Sequence, residues 1–210
     1  IAMRMLCTEA SVDMQSVRRG LVDDEGWMRL TDALGPLAAC HLYLDDTAGL
    51  SPAQLRSRCR RQQTRYGLDL VVIDYLGLLQ LGNKRGSLVA DIAEATRALK
   101  ILAKELQVPI MLLCQLSRGS ESRKENGYRP ILADLRDSGA IEQDADMVLL
   151  LYRKALAMRN RKDDSEYGGA PAEEIEDNTA EVIVAKNRNG PLKTVNLAFQ
   201  GMFSRFVNPS

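Results

Sequence analysis

Histidine is nearly absent: His41 is the only one in 210 residues. It opens an apolar stretch with no ligand set around it, which excludes histidine-based zinc chemistry and leaves His41 as an expected core or boundary residue. The four cysteines, Cys7, Cys40, Cys59 and Cys114, are scattered with no CxxC pair. A chain of this length does not need covalent staples, so they are expected to be reduced packing residues of a cytosolic protein. No apolar run reaches membrane-spanning length and no signal peptide opens the chain, so the expectation is a soluble, cytoplasmic protein. Charge of one sign is lacking too. Lys and Arg total 28 and Asp and Glu total 28, so no overall field draws the molecule to a polyanion, and any such site must be local.

What is present is 45% hydrophobic residues, enough to bury the core of one large globular domain. The opening IAMRMLCTEA has a helical pattern without a capping residue ahead of it, so further sequence is expected upstream. Residues 1–39 read as helices broken at Gly20 and Gly35, and HLYLDD, 41–46, as a short strand. Ser51 as N-cap, Pro52 in the first turn, Gln54 completing a capping box and Gly67 at the end delimit the next helix. Its arginines 56, 58, 60, 61 and 65 read as a solvated outer face.

LDLVVIDYLGLLQL and PIMLLCQ, 109–115, are near-continuous apolar runs, the pattern of parallel strands covered on both faces. Between them Leu88, Ile92, Ala95, Leu99, Leu102 and Leu106 form a helical core stripe, completing a βαβ unit. A third such strand spans 147–152. After it, 153–180 reads as a mobile charged loop. AEVIVAKNRNGPLKTVNLAFQ and the segment following it read as antiparallel edge strands. The expected class is α/β with a mixed sheet.

Ligands of open parallel sheets gather at the strands' carboxyl ends, which selects Asp74, Gln115 and Tyr152. LVVID is how an aspartate is placed to hold Mg²⁺ through water beside a nucleotide, although strand-ending aspartates also serve as helix caps. An amide at Gln115 suits sensing of a γ-phosphate; a plain strand-ending glutamine is the alternative. The basic loop 117–130 suits nucleic acid or mere solubility. Lys186 and Arg188, two apart on an extended segment, share a face about 7 Å apart; they suit a triphosphate, or equally an edge strand charged against aggregation. A GxxxxGK[ST] phosphate loop appears nowhere in the sequence, so the chain carries no such cradle of its own.

In family order, LSPAQLRSRCRR, VVIDYLGLL, IAEATRALKILAKELQVPI, CQLSRGSESR, RPILADLRDSGAIEQDAD and AKNRNGPLKTVNLAFQGMFSRF closely resemble the carboxyl-terminal motor domain of bacterial DnaB-type replicative helicases. The resemblance implies that 1–210 is part of a RecA-like P-loop NTPase core whose phosphate loop and water-activating glutamate lie upstream, so the chain alone is expected to be inactive. It implies an ATP-dependent homo-hexamer that moves on single-stranded DNA, with primase and a helicase loader as partners. Asp74 would be the Walker B aspartate, holding Mg²⁺ through water, and Gln115 the sensor. Lys186 and Arg188 would be the cations reaching a neighbouring subunit's ATP. Arg136, Asp137 and Gly139 would follow the DNA backbone, with a helix starting near Ser138 offering its amides to phosphate. Glu142 and Asp146, one turn apart on that helix, would point away from the phosphate or towards basic partners. Gly77 departs from the polar residue usual after DYL in the family. The rival readings are a RecA-like recombinase or clock-type ATPase, and a non-catalytic paralogue that binds DNA or the ring.

Overall fold

A computed structural model of the chain describes residues 1–81, 87–117, 128–159 and 178–209. Seven α-helices and six strands are set out among them. Helices α1 (Ala2–Ala10), α2 (Met14–Arg19) and α3 (Asp24–Ala39) come first, then α4 (Pro52–Tyr66), β1 (Val71–Ile73), α5 (Leu88–Leu106) and β2 (Ile110–Leu112). A 3₁₀ helix, Leu132–Ser138, leads into α6 (Gly139–Asp144) and β3 (Met147–Tyr152). The remainder is α7 (Lys154–Arg159), β4 (Thr179–Asn187), β5 (Thr194–Gln200) and β6 (Arg205–Val207). Strands β1 and β2 form a parallel pair with Val71 opposite Ile110 and Ile73 opposite Leu112. The second sheet has the order β3-β4-β5-β6, with β5 and β6 antiparallel.

The α/β class and the βαβ unit are as the pattern predicts, and α4 carries its full capping box between Ser51 and Gln54. Several local expectations fail. Gly35 does not end a helix, because α3 runs through Gly35 and Pro36 to Ala39. A helical glycine costs only about 1 kcal/mol relative to alanine, too little to stop a helix already docked through Leu30 and Ala33. Residues 41–46 form no strand and His41 is exposed, as is Cys40; alternation alone does not make a strand without a neighbour to pair with. Inside the expected charged loop, α7 forms from Lys154 to Arg159, while 160–177 lie outside the described residues, as do 118–127 of the basic loop.

The described chain falls into two compact units, 1–45 with 151–182 and 194–210, and 46–150 with 183–193. In the first, Ala10, Val12, Leu30 and Ala33 are buried against Leu6, Val17 and Val22. The Thr8 hydroxyl donates to the Phe203 carbonyl at 3.0 Å. Phe199 packs on Phe206 with ring centroids 4.9 Å apart, and the Arg153 guanidinium lies over Phe199.

The second unit holds Asp74, Gln115, Arg136, Asp137, Gly139, Lys186 and Arg188, whereas Tyr152, the third strand-end candidate, falls in the first unit and is buried. All of the expected α5 stripe except Leu88 is buried, together with Thr96. Leu99, Leu102 and Leu106 pack with Cys59 of α4 and with Val71 and Ile73. Glu105 of α5 receives Arg56 and Arg60 of α4, at 2.8 and 3.5 Å, on an exposed surface. Two expectations about the strands fail. The apolar strands are covered on one face only: Val72 is 54% exposed between buried Val71 and Ile73, and Met147 and Leu149 stand open while Val148 and Leu150 are buried. Nor is there one mixed sheet. Cys114 and Leu116 pack in one cluster with Val148 and Leu150, but β2 and β3 are not hydrogen-bonded neighbours, and no strand among the described residues stands between them.

Candidate nucleotide and DNA site

Parallel pairing fixes where Asp74 and Gln115 emerge. Asp74 directly follows β1, and Gln115 lies three residues past β2, at the same end of the pair. Backbone bonds carry the pairing beyond the strands, with Leu113 N donating to the Ile73 carbonyl at 3.0 Å and Leu76 N to that of Leu113 at 2.9 Å. Both Asp74 and Gln115 are exposed. The turn after Asp74 is a 3₁₀ helix, Leu76–Leu78, pinned by buried Leu76. There the Tyr75 ring lies over Gly77, and a Cβ at 77 would stand 2.5 Å from it. The glycine therefore makes room for Tyr75, a local reason for the departure seen in the sequence.

Two residues past Gln115, the Ser117 amide donates to the Asp134 carbonyl at 3.0 Å. This bond ties the end of the Gln115 segment to the start of the segment bearing Arg136, Asp137 and Gly139. Asp134 is 2% exposed, and its carboxylate accepts the Ile131 amide at 2.8 Å, capping the 3₁₀ helix. The side chains of Arg136 and Asp137 lie outside the described residues.

Helix α6 begins at Gly139, close to the expected place, but it continues directly from the 3₁₀ helix instead of starting from an open loop. Its first turn is thus not the free helix end expected for phosphate. Gly139 has an ordinary right-handed φ of −49°, and a Cβ there would meet nothing within 4 Å. The fold itself makes no demand for glycine at that position.

The carboxylates of this segment are largely accounted for. Asp134 caps, and Asp144 accepts the Thr96 hydroxyl of α5 at 2.7 Å. Asp146 lies beyond the end of α6, so it does not share a helix with Glu142 as expected. It does meet basic partners: one oxygen takes the Lys100 ammonium of α5, and the other lies 3.5 Å from Arg188 Nη1. The Lys100 hydrogen bond, aided by the charges of Lys100, Arg188 and Lys104, holds the Asp146 carboxyl below the usual carboxylate range.

Lys186 sits near the end of β4, and Arg188 in the turn just past it. Their shared face is borne out by a shared acceptor. Lys186 Nζ donates to the Glu142 carbonyl and approaches that of Gln143 at 3.5 Å, while Arg188 Nη2 reaches the Gln143 carbonyl at 2.5 Å. Arg188 N also donates to the Asp146 carbonyl at 2.9 Å. Cations at the carboxyl end of a helix satisfy its last carbonyls and complement its dipole. Lys186 is half-buried and Arg188 exposed.

Thr96, Lys100, Asp134 and Asp144 were not singled out from the sequence. Thr96 carried a signal: a polar residue next to Ala95 on an otherwise apolar stripe, with Lys100 one turn beyond. No group of three or more His, Cys, Asp or Glu that could hold a metal lies among the described residues. A lone exposed carboxylate such as Asp74 still fits Mg²⁺, which keeps most of its waters and takes one or two carboxylates plus substrate phosphates. No described helix is long and apolar enough to cross a membrane.

The family model described as the DnaB-like helicase C terminal domain matches residues 1–208. The replicative DNA helicase DnaB of Leifsonia xyli subsp. xyli is 45% identical over 208 residues, 99% of this chain and 42% of that protein. The replicative DNA helicase DnaC of Bacillus subtilis is 42% identical over 209 residues, 99% of this chain and 43% of its own. Among solved structures, one described as an ATPase domain superposes with a TM-score of 0.81 at 35% identity, covering 99% of this chain and 69% of that one. A DnaB-like replicative helicase solved for its interactions with primase gives 0.82 at 35% identity, covering 99% and 47%. The chain thus spans less than half the length of the curated relatives it matches.

Proposed function

The chain belongs to the family of DnaB-like helicase C-terminal domains, and from that premise we propose that its full-length protein is a replicative DNA helicase. It hydrolyses ATP with Mg²⁺ as a homo-hexameric ring, moves along single-stranded DNA and separates the duplex. The observation that carries this reading is the common exit of Asp74 and Gln115 from the parallel pair, with the Ser117–Asp134 bond two residues beyond Gln115. A phosphate sensor and a DNA-contacting segment are thereby only a few covalent bonds and one hydrogen bond apart.

In this reading Asp74 would hold Mg²⁺ through water, the metal supplying charge neutralisation at the nucleotide, and Gln115 would hydrogen-bond at the γ-phosphate. The bound nucleotide supplies a phosphoryl group for transfer to water. Lys186 and Arg188 of the adjacent protomer lie across it, where positive charge stabilises the oxygens of the transferring group. Arg136 and the main chain near Asp137 and Gly139 hold DNA phosphates, giving contacts that depend on salt and largely ignore base identity. The described relative solved with primase supports primase as a partner; a loader rests on family resemblance.

The test uses the full-length protein. Arg188→Ala is expected to lower DNA-stimulated ATP turnover by on the order of a thousandfold while a fluorescent nucleotide still binds, because the cation acts on the neighbour's nucleotide. Lys186→Ala should act in the same direction. Turnover at the unmodified rate in both variants refutes the assignment.

A further inference from the structure

We propose that Asp146 is the positioning residue for Arg188 and that Lys100 anchors it, so that α5 and the turn before β3 form a mount for the cation that reaches the adjacent nucleotide. The inference rests on the reading of Arg188 given above. Asp146 divides its carboxylate between two cations, one oxygen taking Lys100 and the other facing Arg188 Nη1 at 3.5 Å. Its carbonyl also accepts the Arg188 amide at 2.9 Å. A second restraint comes from Gln143, whose carbonyl accepts Arg188 Nη2 at 2.5 Å. Both the backbone and the tip of Arg188 are therefore held by the short stretch from Gln143 to Asp146.

Exposed ion pairs add little to stability, and the side chains here are largely open, 56% for Asp146 and 49% for Arg188. What the arrangement does supply is direction. A long side chain loses conformational freedom when it must reach a phosphate, and a side chain already restrained loses less. Guanidinium has five N–H donors, and the Gln143 and Asp146 contacts leave others for an anion. The anchor is on α5, whose core residues Leu99 and Leu102 lie one before and two after Lys100 in sequence. The mount is thus tied to the packed interior rather than to a loop.

The experiment measures kcat, KM and fluorescent-nucleotide affinity of the full-length helicase in Asp146→Ala, Asp146→Asn, Asp146→Glu and Lys100→Met variants, with Arg188→Ala alongside. Expected for Asp146→Ala and Asp146→Asn is a fall in kcat of about tenfold with KM and affinity unchanged, since a misplaced group costs rate more than binding. Asp146→Glu should recover most of the loss, and Lys100→Met should lower kcat in the same sense. Adding Asp146→Ala to Arg188→Ala should cost nothing further. An additional loss in that double variant, or a kcat in Asp146→Asn equal to or above wild type while Arg188→Ala is impaired, overturns this inference alone. Normal turnover in Arg188→Ala removes the underlying reading as well. Should Asp146→Ala fail to fold, the nearly isosteric Asp146→Asn decides.

Discussion

Individual side chains in this molecule sort by what surrounds them rather than by type. The cysteines show it most plainly: Cys7 and Cys59 are buried, Cys114 is half-buried and Cys40 is exposed. Burial pushes the Cys114 thiol above its ordinary range, and the same cause dominates for Cys7. A raised thiol pKa means less thiolate at a given pH, and thiolate is the reacting form. At about pH 8, near the ordinary thiol range, iodoacetamide should therefore modify Cys40 first and Cys114 much more slowly. Cys7 and Cys59 should react only in denaturant, a sequence that peptide mass mapping over time reads directly; early labelling of Cys59 would contradict its packing between α4 and α5. Cysteine as a packing residue was legible in the sequence, but not that Cys40 would be left outside, because that depended on 41–46 finding a strand to pair with. Asp74 and Gln115 were legible because a run of apolar residues ending in a polar one marks a strand's end. For Asp146 basic partners were one of two expected surroundings, but which ones was not legible, since Lys100 and Arg188 are both more than forty positions away in sequence.

At the scale of elements, the helix boundaries written in local chemistry came through, while those set by tertiary contact did not. The Ser51–Gln54 box and Gly67 delimit α4 by hydrogen bonds within a few residues, so the sequence states them. The 3₁₀ run before α6 is capped locally by Asp134, three residues past Ile131, but it is also tied by the Ser117 amide from another segment, which no local pattern announces. Asp134→Ala would leave the Ile131 amide without its cap, with an expected cost of about 1–2 kcal/mol, measurable as a lowered urea midpoint with an unchanged m-value. Thr96→Val removes the hydroxyl that joins α5 to Asp144 and should cost about 1 kcal/mol by the same measurement. If neither shift appears, the segment before β3 is held by something other than these polar contacts.

For the chain as a whole, zero formal charge means that no general field attracts a polyanion, so the DNA contact proposed above for Arg136 would be a local one. Fold class, the βαβ core and the antiparallel strands were readable from hydrophobic period. The separation of the strands into two sheets was not, because period reports which residues are apolar and says nothing of which strands are neighbours. The bare alternate residues Val72, Met111, Leu113, Met147 and Leu149 should make the isolated chain bind the dye ANS and elute early and broadly from a sizing column. Met111→Lys with Leu149→Lys should reduce both signals, and an unmodified chain running as a dye-negative monomer would count against this. Strands β2 and β3 each have a side that no backbone partner among the described residues occupies, next to side chains that water solvates poorly. To a chaperone scanning newly made polypeptide, such a place reads as unfinished, and the chain would be retained there until an extended segment of suitable greasiness arrives to zip in.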